Sequence, residues 1–241
     1  MTAEKTDVDA LTGARTLTEL ATRAAESAIA AASRLTDGGK QIDDHQPHAE
    51  RIALLATEAK AAEELLAYAE GQASAGKRDA LAEEQAFVFA AEVVSKLRNT
   101  ADAHADEFGL DADVTARLED AGTRSLVRSA LDDARIQAIG RRVLDSRGAF
   151  EIELDDEIAN LTRDTARSFA KTEVAPIAQE MHRQDLLVPE DLIQKMAGLG
   201  LFGCSVPDSY GGTEMGYLTM VVLTEELSTV SLVAGSLITR S

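Results

Sequence analysis

Tryptophan is absent from these 241 residues, cysteine occurs once, proline four times, and aromatic side chains make up only 4%. Each shortage excludes something. The lone thiol, Cys204, cannot form an intramolecular disulfide, which fits a reducing compartment. With no histidine near it in sequence, it reads as a small buried apolar group rather than a nucleophile. β-Branched and aromatic residues are too sparse and scattered for a sizeable sheet. No run of about 18 apolar residues occurs, so no membrane-spanning helix is expected. The opening MTAEKTDVDA carries Glu4, Asp7 and Asp9 and matches neither a secretory signal nor an Arg-rich transit peptide, so the expected location is cytoplasmic. Basic residues are scarce too, 24 against 42 acidic, for a formal charge of −18. Up to Phe150 there are 18 basic and 27 acidic residues, and after it 6 and 15. Neither part offers the clustered cations that a phosphate backbone or an anionic bilayer needs, so neither nucleic acid nor membrane is expected as a partner.

What the chain has is alanine, and apolar residues at helical spacing. Hydrophobic residues reach 45%. Alanine costs least in a helix and lets neighbouring backbones approach. The expected fold class is all-α. Leu17, Leu20, Ala24, Ala28, Ala31 and Leu35 form one helical face over 14–36, which Gly38-Gly39 ends. A second stripe, Ile52, Leu55, Ala59, Ala62, Leu66 and Ala69, follows Pro47. A third spans about 79–108 through Phe87, Ala90, Ala91, Val94, Leu97, Ala101 and Phe108, with Glu92 and Lys96 as an outer i,i+4 pair. A short helix capped by Asp113 is expected next, then a fourth long helix over 123–146 with Val127, Leu131, Ala134, Ala138 and Ile139 inward. That stretch is locally basic, through Arg124, Arg128, Arg135, Arg141, Arg142 and Arg147, which reads as a solvated face or a docking surface. These elements predict an up-and-down bundle over residues 1–150 and a second domain over 151–241.

In the second domain Ile158, Leu161, Thr165 and Phe169 predict an amphipathic helix, Pro176 starts the next, and Pro189 opens a short one with Glu190 and Asp191 in its first turn. Gly198 is its expected C-cap. Gly198-Leu199-Gly200-Leu201-Phe202-Gly203 fits the letters of a dinucleotide fingerprint. Such a loop needs a strand before it and a helix after it, and here a helix precedes and Val206-Pro207 follows. It reads as a helix stop and tight reversal. His45 and His48 beside Asp43 and Asp44 have no further Cys or His nearby to complete a metal site. Glu225 and Glu226 point about 100° apart on a helix and do not form a facing carboxylate pair. No catalytic constellation can be assembled from spacing alone.

The order of residues from about Ile158 onward nevertheless resembles the N-terminal helical domain of the acyl-CoA dehydrogenase family. The series runs from Arg167-Ser168-Phe169-Ala170 through Glu173-Val174-Ala175-Pro176-Ile177-Ala178, Asp185 and Pro189. It continues through Gly198–Gly203 and Val206-Pro207-Asp208-Ser209-Tyr210-Gly211-Gly212 to Glu225-Glu226-Leu227-Ser228. A helical extension ahead of that domain resembles the architecture of the methylsuccinyl-CoA dehydrogenase subfamily. The resemblance implies an FAD flavoenzyme that dehydrogenates an acyl-CoA thioester between Cα and Cβ, passes electrons to electron-transfer flavoprotein and works as a homo-oligomer.

It also implies that most FAD contacts and the glutamate base come from later domains, beyond residue 241. The chain stops at Leu237-Ile238-Thr239-Arg240-Ser241 without a helix-ending Gly, Pro or basic cap, and a fragment inactive by itself is expected. By the same alignment Ser236, Thr239 and Arg240 fall near the substrate tail, where a guanidinium suits a second carboxylate. The alternative is a non-catalytic helical interaction module derived from that domain.

Overall fold

The computed structural model describes residues 9–104, 108–147, 154 and 156–239. The chain divides into two compact units, residues 1–150 and 151–241. Among the described residues there are helices and turns and no strand.

Three long helices form the body of the first unit: α1 (Ala10–Leu35), α2 (Gln46–Ser74) and α3 (Ala80–Ala103), each packed on the other two. Leu17, Leu20, Ala24 and Ala28 of α1 are buried against Ile52, Leu55 and Ala59 of α2 and against Phe87, Ala90, Ala91, Val94 and Leu97 of α3. Phe87 is the largest of these. It lies so close to Gly13 that a Cβ there would fall inside its ring contact distance. The missing side chain of one helix thus makes room for the bulkiest side chain of another.

The fourth long helix expected over 123–146 is instead two, α5 (Ala121–Ala130) and α6 (Asp133–Asp145), following a short α4 (Ala112–Glu119). Asp132 breaks it: its carboxylate accepts from the Ala134 N–H and caps α6. Ala134 and Ala138, expected inside, are exposed, and α6 buries no residue. Arg135 ties it down by ion-pairing with Glu84 and lying 5.1 Å over the Phe87 ring. The body is therefore three helices plus short covering ones rather than an up-and-down set of four. Two local expectations also change. Asp111, not Asp113, caps α4, accepting from Val114 N–H at 2.8 Å, while Asp113 meets Arg23. Lys96 pairs across the helix interface with Glu58 rather than along α3 with Glu92.

Among the described residues six helices begin on an aspartate that accepts a first-turn backbone N–H: Asp9, Asp79, Asp111, Asp120, Asp132 and Asp156. Part of the acidic excess is thus helix-starting chemistry. The backbone N–H and hydroxyl of Thr12 hold the Asp9 carboxyl below its ordinary value. A depressed carboxyl adds stability above its unfolded pKa, and that increment is lost as pH falls through the folded one.

In the second unit α7 (Glu157–Phe169), a π-turn (Ala170–Val174) and α8 (Ala175–Gln184) form one continuous helical run. Pro176 therefore does not start a separate helix. The π-turn widens the ladder, with the Ala175 N–H reaching the Ala170 carbonyl, just where proline cannot donate. Asp185, left-handed at φ 53°, ends α8. The short helix α9 (Glu190–Gly198) carries Glu190 and Asp191 in its first turn. Its stop is Gly200, not Gly198. Gly200 is left-handed at φ 69°, and Leu201 N–H closes back on Met196 carbonyl at 3.1 Å.

A loop to Gly212 leads to α10 (Gly216–Ser228) and α11 (Leu232–Ile238). Gly212 lies against the Val206 carbonyl, where no Cβ fits. We expect Gly212→Ala to cost on the order of 2 kcal/mol or more in urea unfolding. Gly198→Ala, in open space at the end of α9, should be neutral or stabilising by about 0.5–1 kcal/mol.

Candidate functional site

The core of the second unit is Ala166, Phe169, Ala170 and Val174 of the first helical run against Leu192, Met196, Leu223, Leu227, Ala234 and Ile238. The phase of α7 differs from the expected one. Ala159, Ala166 and Phe169 face inward, while Ile158 and Leu161 are 60% and 69% exposed. Small alanines let α7 lie close to α10, and the larger apolar residues are left outside. Gly235 of α11 approaches the Ser228 hydroxyl of α10 at a distance no Cβ would tolerate, so that crossing is equally tight.

Across the α7–α10 contact Arg167 grips Glu226 with both arms, Nε to Oε2 at 3.0 Å and Nη2 to Oε1 at 2.8 Å. The Glu226 side chain is only 10% exposed. A planar guanidinium matches a carboxylate at two points, which orients α10 as well as pairing its charge. Glu225 next to it is exposed, as two adjacent helical residues must diverge. Sequence reasoning placed Arg167 and Glu226 in one motif series but missed their pairing. The available signal was a carboxylate inside the apolar stretch Met220–Leu227.

A groove of about 520 Å³ lies between the α7–π-turn segment and α9. Phe169, Leu199, Thr165 and Thr172 line it, and Glu173 and Lys195 pair at its edge at 2.7 Å. The Thr165 and Thr172 hydroxyls donate back to Leu161 and Ser168 carbonyls. Its walls offer shape and a charged rim, and its one carboxylate is engaged by lysine. Cys204 is buried, donates its Sγ–H to the Leu201 carbonyl at 3.3 Å, and burial pushes its thiol pKa up. It is a packing residue, as its sequence context suggested.

The expected substrate-tail residues lie at the end of α11. The Ser236 hydroxyl donates to Val233 carbonyl at 2.9 Å and the Thr239 hydroxyl to Ser236 carbonyl at 3.1 Å, so both are satisfied within their own turn. Arg240 lies outside the described residues. Around the other motifs, Gly198–Gly203 follows helix α9 and leads into a loop. His48 is buried with neither ring nitrogen partnered. Among the described residues no three His, Cys, Asp or Glu side chains gather as metal ligands, and no helix is long and apolar enough to cross a membrane.

Residues 156–240 match the family model of the acyl-CoA dehydrogenase N-terminal domain. They form a domain of that family. The chain is 30% identical over 222 residues to (2S)-methylsuccinyl-CoA dehydrogenase of Cereibacter sphaeroides, covering 86% of this chain and 39% of that protein. An alignment of that length must extend well into the first unit. Two other relatives match shorter stretches. A 3-(aryl)acrylate reductase of Clostridium sporogenes is 40% identical over 75 residues, 31% of this chain and 20% of the relative. The human mitochondrial short-chain specific acyl-CoA dehydrogenase is 39% identical over 64 residues, 27% of this chain and 15% of the relative. The chain spans well under half the length of these proteins.

Within the acyl-CoA dehydrogenase N-terminal domain the Arg167–Glu226 pair is a structural clasp. Arg167→Ala leaves Glu226 charged and nearly buried, and should cost about 3–5 kcal/mol in urea unfolding. Arg167→Met combined with Glu226→Leu should cost less than the single change, because neither charge is then stranded. Cys204 should react with Ellman's reagent in the folded chain at under about a tenth of its rate in denaturant.

Proposed function

We propose that these residues work as the amino-terminal part of an acyl-CoA dehydrogenase that performs α,β-dehydrogenation of an acyl-CoA thioester. The carrying observation is apolar surface on the second unit that its own core leaves uncovered. Helix α10, GYLTMVVLTEELS, is apolar on nearly every side: Val222, Leu223 and Leu227 are buried, while Tyr217 is 75% exposed and Leu218 and Val221 are also outward. On α11 Leu232 is 76% exposed with Val233 beside it. A helix that is hydrophobic all round belongs in an interior. Outward apolar faces on α7, α10 and α11 are what a domain shows when further domains of the same enzyme cover it.

The flavin site is assigned in this reading to the complete enzyme rather than to these residues by themselves. The one glycine run of the right letters caps a helix, and no strand precedes it. FAD, the base glutamate and the transfer of electrons to electron-transfer flavoprotein enter from the family and are assigned to the complete enzyme. So are homo-oligomerisation and a cytoplasmic location. Residues 1–150 are read as the helical extension of that enzyme. The long match to (2S)-methylsuccinyl-CoA dehydrogenase favours a branched dicarboxylic thioester as substrate.

In that reading Ser236, Thr239 and Arg240 border the acyl tail. Ser236 lies in the last turn of α11 and Thr239 is its C-cap; Arg240 follows Thr239 in the sequence. The Arg240 guanidinium would take the second carboxylate bidentately.

The 241-residue chain should neither bind FAD stoichiometrically nor oxidise acyl-CoA, whereas the longer protein should do both. Activity of the short chain, or an interaction module with no catalytic continuation, would overturn the reading. In the complete enzyme Arg240→Ala should reduce kcat/KM for a dicarboxylic acyl-CoA by about 10²-fold while sparing a plain acyl-CoA. Equal effects on the two substrates would remove Arg240 from the site.

A further inference from the structure

Helix α6 carries a face that its own unit leaves uncovered. None of its 13 residues is buried. Arg135, Ile139 and Val143 are half-buried and form the side turned to the body of the unit. About a quarter turn away, at the 100° per residue of a helix, run Ile136, Gly140 and Leu144, each four residues from the next. Ile136 is 43% and Leu144 76% exposed, and a Cβ added to Gly140 would meet nothing within 4 Å. Two bulky apolar side chains thus stand on either side of an open notch, each about 6 Å along the axis from it.

One charge of each sign bounds this ridge. Asp133, seven residues before Gly140, opens the helix, and Arg147, seven residues after it, follows the C-cap Ser146. Both are exposed, and among the described residues neither has an ion-pair partner. Arg142 and Asp145 lie on the far side of the helix and Arg141 on its flank. The ridge therefore runs acid, Ile, Gly, Leu, base, with the glycine at its centre.

We propose that α6 pairs antiparallel with α6 of a second copy of this chain, across a two-fold axis at Gly140. Ile136 then meets the partner's Leu144, Leu144 meets the partner's Ile136, and the two glycines let the helices approach closely. Asp133 faces the partner's Arg147, and the same pairing recurs at the other end. A surface of one sign calls for a partner of the other sign. One acid and one base placed symmetrically about a glycine call for the same surface turned round. A parallel pair would set acid against acid and base against base. A helix of about 20 Å buries less than the roughly 1,200 Å² of a stable dimer, so the contact is weak, with Kd on the order of 10⁻⁴ M. It lies wholly in the first unit and stands apart from the acyl-CoA dehydrogenase reading of the second.

Sedimentation equilibrium of the 241-residue chain at low salt, up to about 1 mM, should show reversible dimerisation. Leu144→Glu, at a position already largely exposed, should weaken it by about tenfold or more at unchanged thermal stability. Asp133→Arg and Arg147→Asp should each weaken it by about fivefold or more, because like charges then face each other. The double variant should recover the dimer, and so should an equimolar mixture of the two single-variant chains, since opposite charges meet again at both ends. Mild oxidation should link the Gly140→Cys chain into a disulfide dimer, because the two-fold axis sets residue 140 against its own copy. Gly71→Cys, exposed on α2, should stay monomeric under the same oxidation. A chain monomeric at every concentration, a dimer indifferent to Leu144→Glu, a double variant as weak as its parents, or no Gly140→Cys dimer would each overturn the proposal.

Discussion

A core built largely from alanine must be assembled at short range, because each methyl covers little surface unless the opposite backbone is close. Both units obey this constraint. In the first, Gly13 admits the ring of Phe87, and Ala14, Ala21, Ala24 and Ala28 are buried along the same helix. In the second, Ala159 and Ala166 bring α7 onto α10, and Gly235 brings α11 onto Ser228. Close approach leaves little room for large apolar side chains at these contacts, so Ile158 and Leu161 end up outside.

Close helices also need something to set their orientation, since methyl contacts slide easily. Polar clasps supply it. Arg167 and Glu226 lock α7 to α10, Lys96 and Glu58 link α3 to α2, and Arg135 joins α6 to Glu84 and the Phe87 face. Only the first has a nearly buried carboxylate, and there both oxygens are engaged. The others are more exposed and contribute position more than stability.

What these close contacts leave over is the surface open to partners. In the second unit the remainder is apolar: the outward faces of α7, α10 and α11. In the first it is polar and of mixed sign: Arg51 and Lys96 beside Glu58 and Glu92 between α2 and α3. Neither requires the buried Cys204, whose thiol burial has silenced.

Helicity, the stripes of α1 to α3 apart from Leu35, which is exposed at the frayed end of α1, and the demotion of the Gly198–Gly203 run were legible in the residues, because 3.6-residue periodicity and turn chemistry are local. The resemblance to acyl-CoA dehydrogenases was legible for the same reason, as an ordered series of short motifs. Three features were not. The break at Asp132 arises because a cap competes with helix continuation, and α6 has no buried face to tip the balance. The phase of α7 arises because alanine and isoleucine stripes coexist on one helix, and only the α7–α10 contact selects the smaller. Glu226 reads in sequence as one of two adjacent acids, and becomes half of a clasp only when Arg167, 59 residues earlier, is folded against it. Period and turns are properties of neighbouring residues; which face is buried, and which charges meet, depends on residues far apart in the chain.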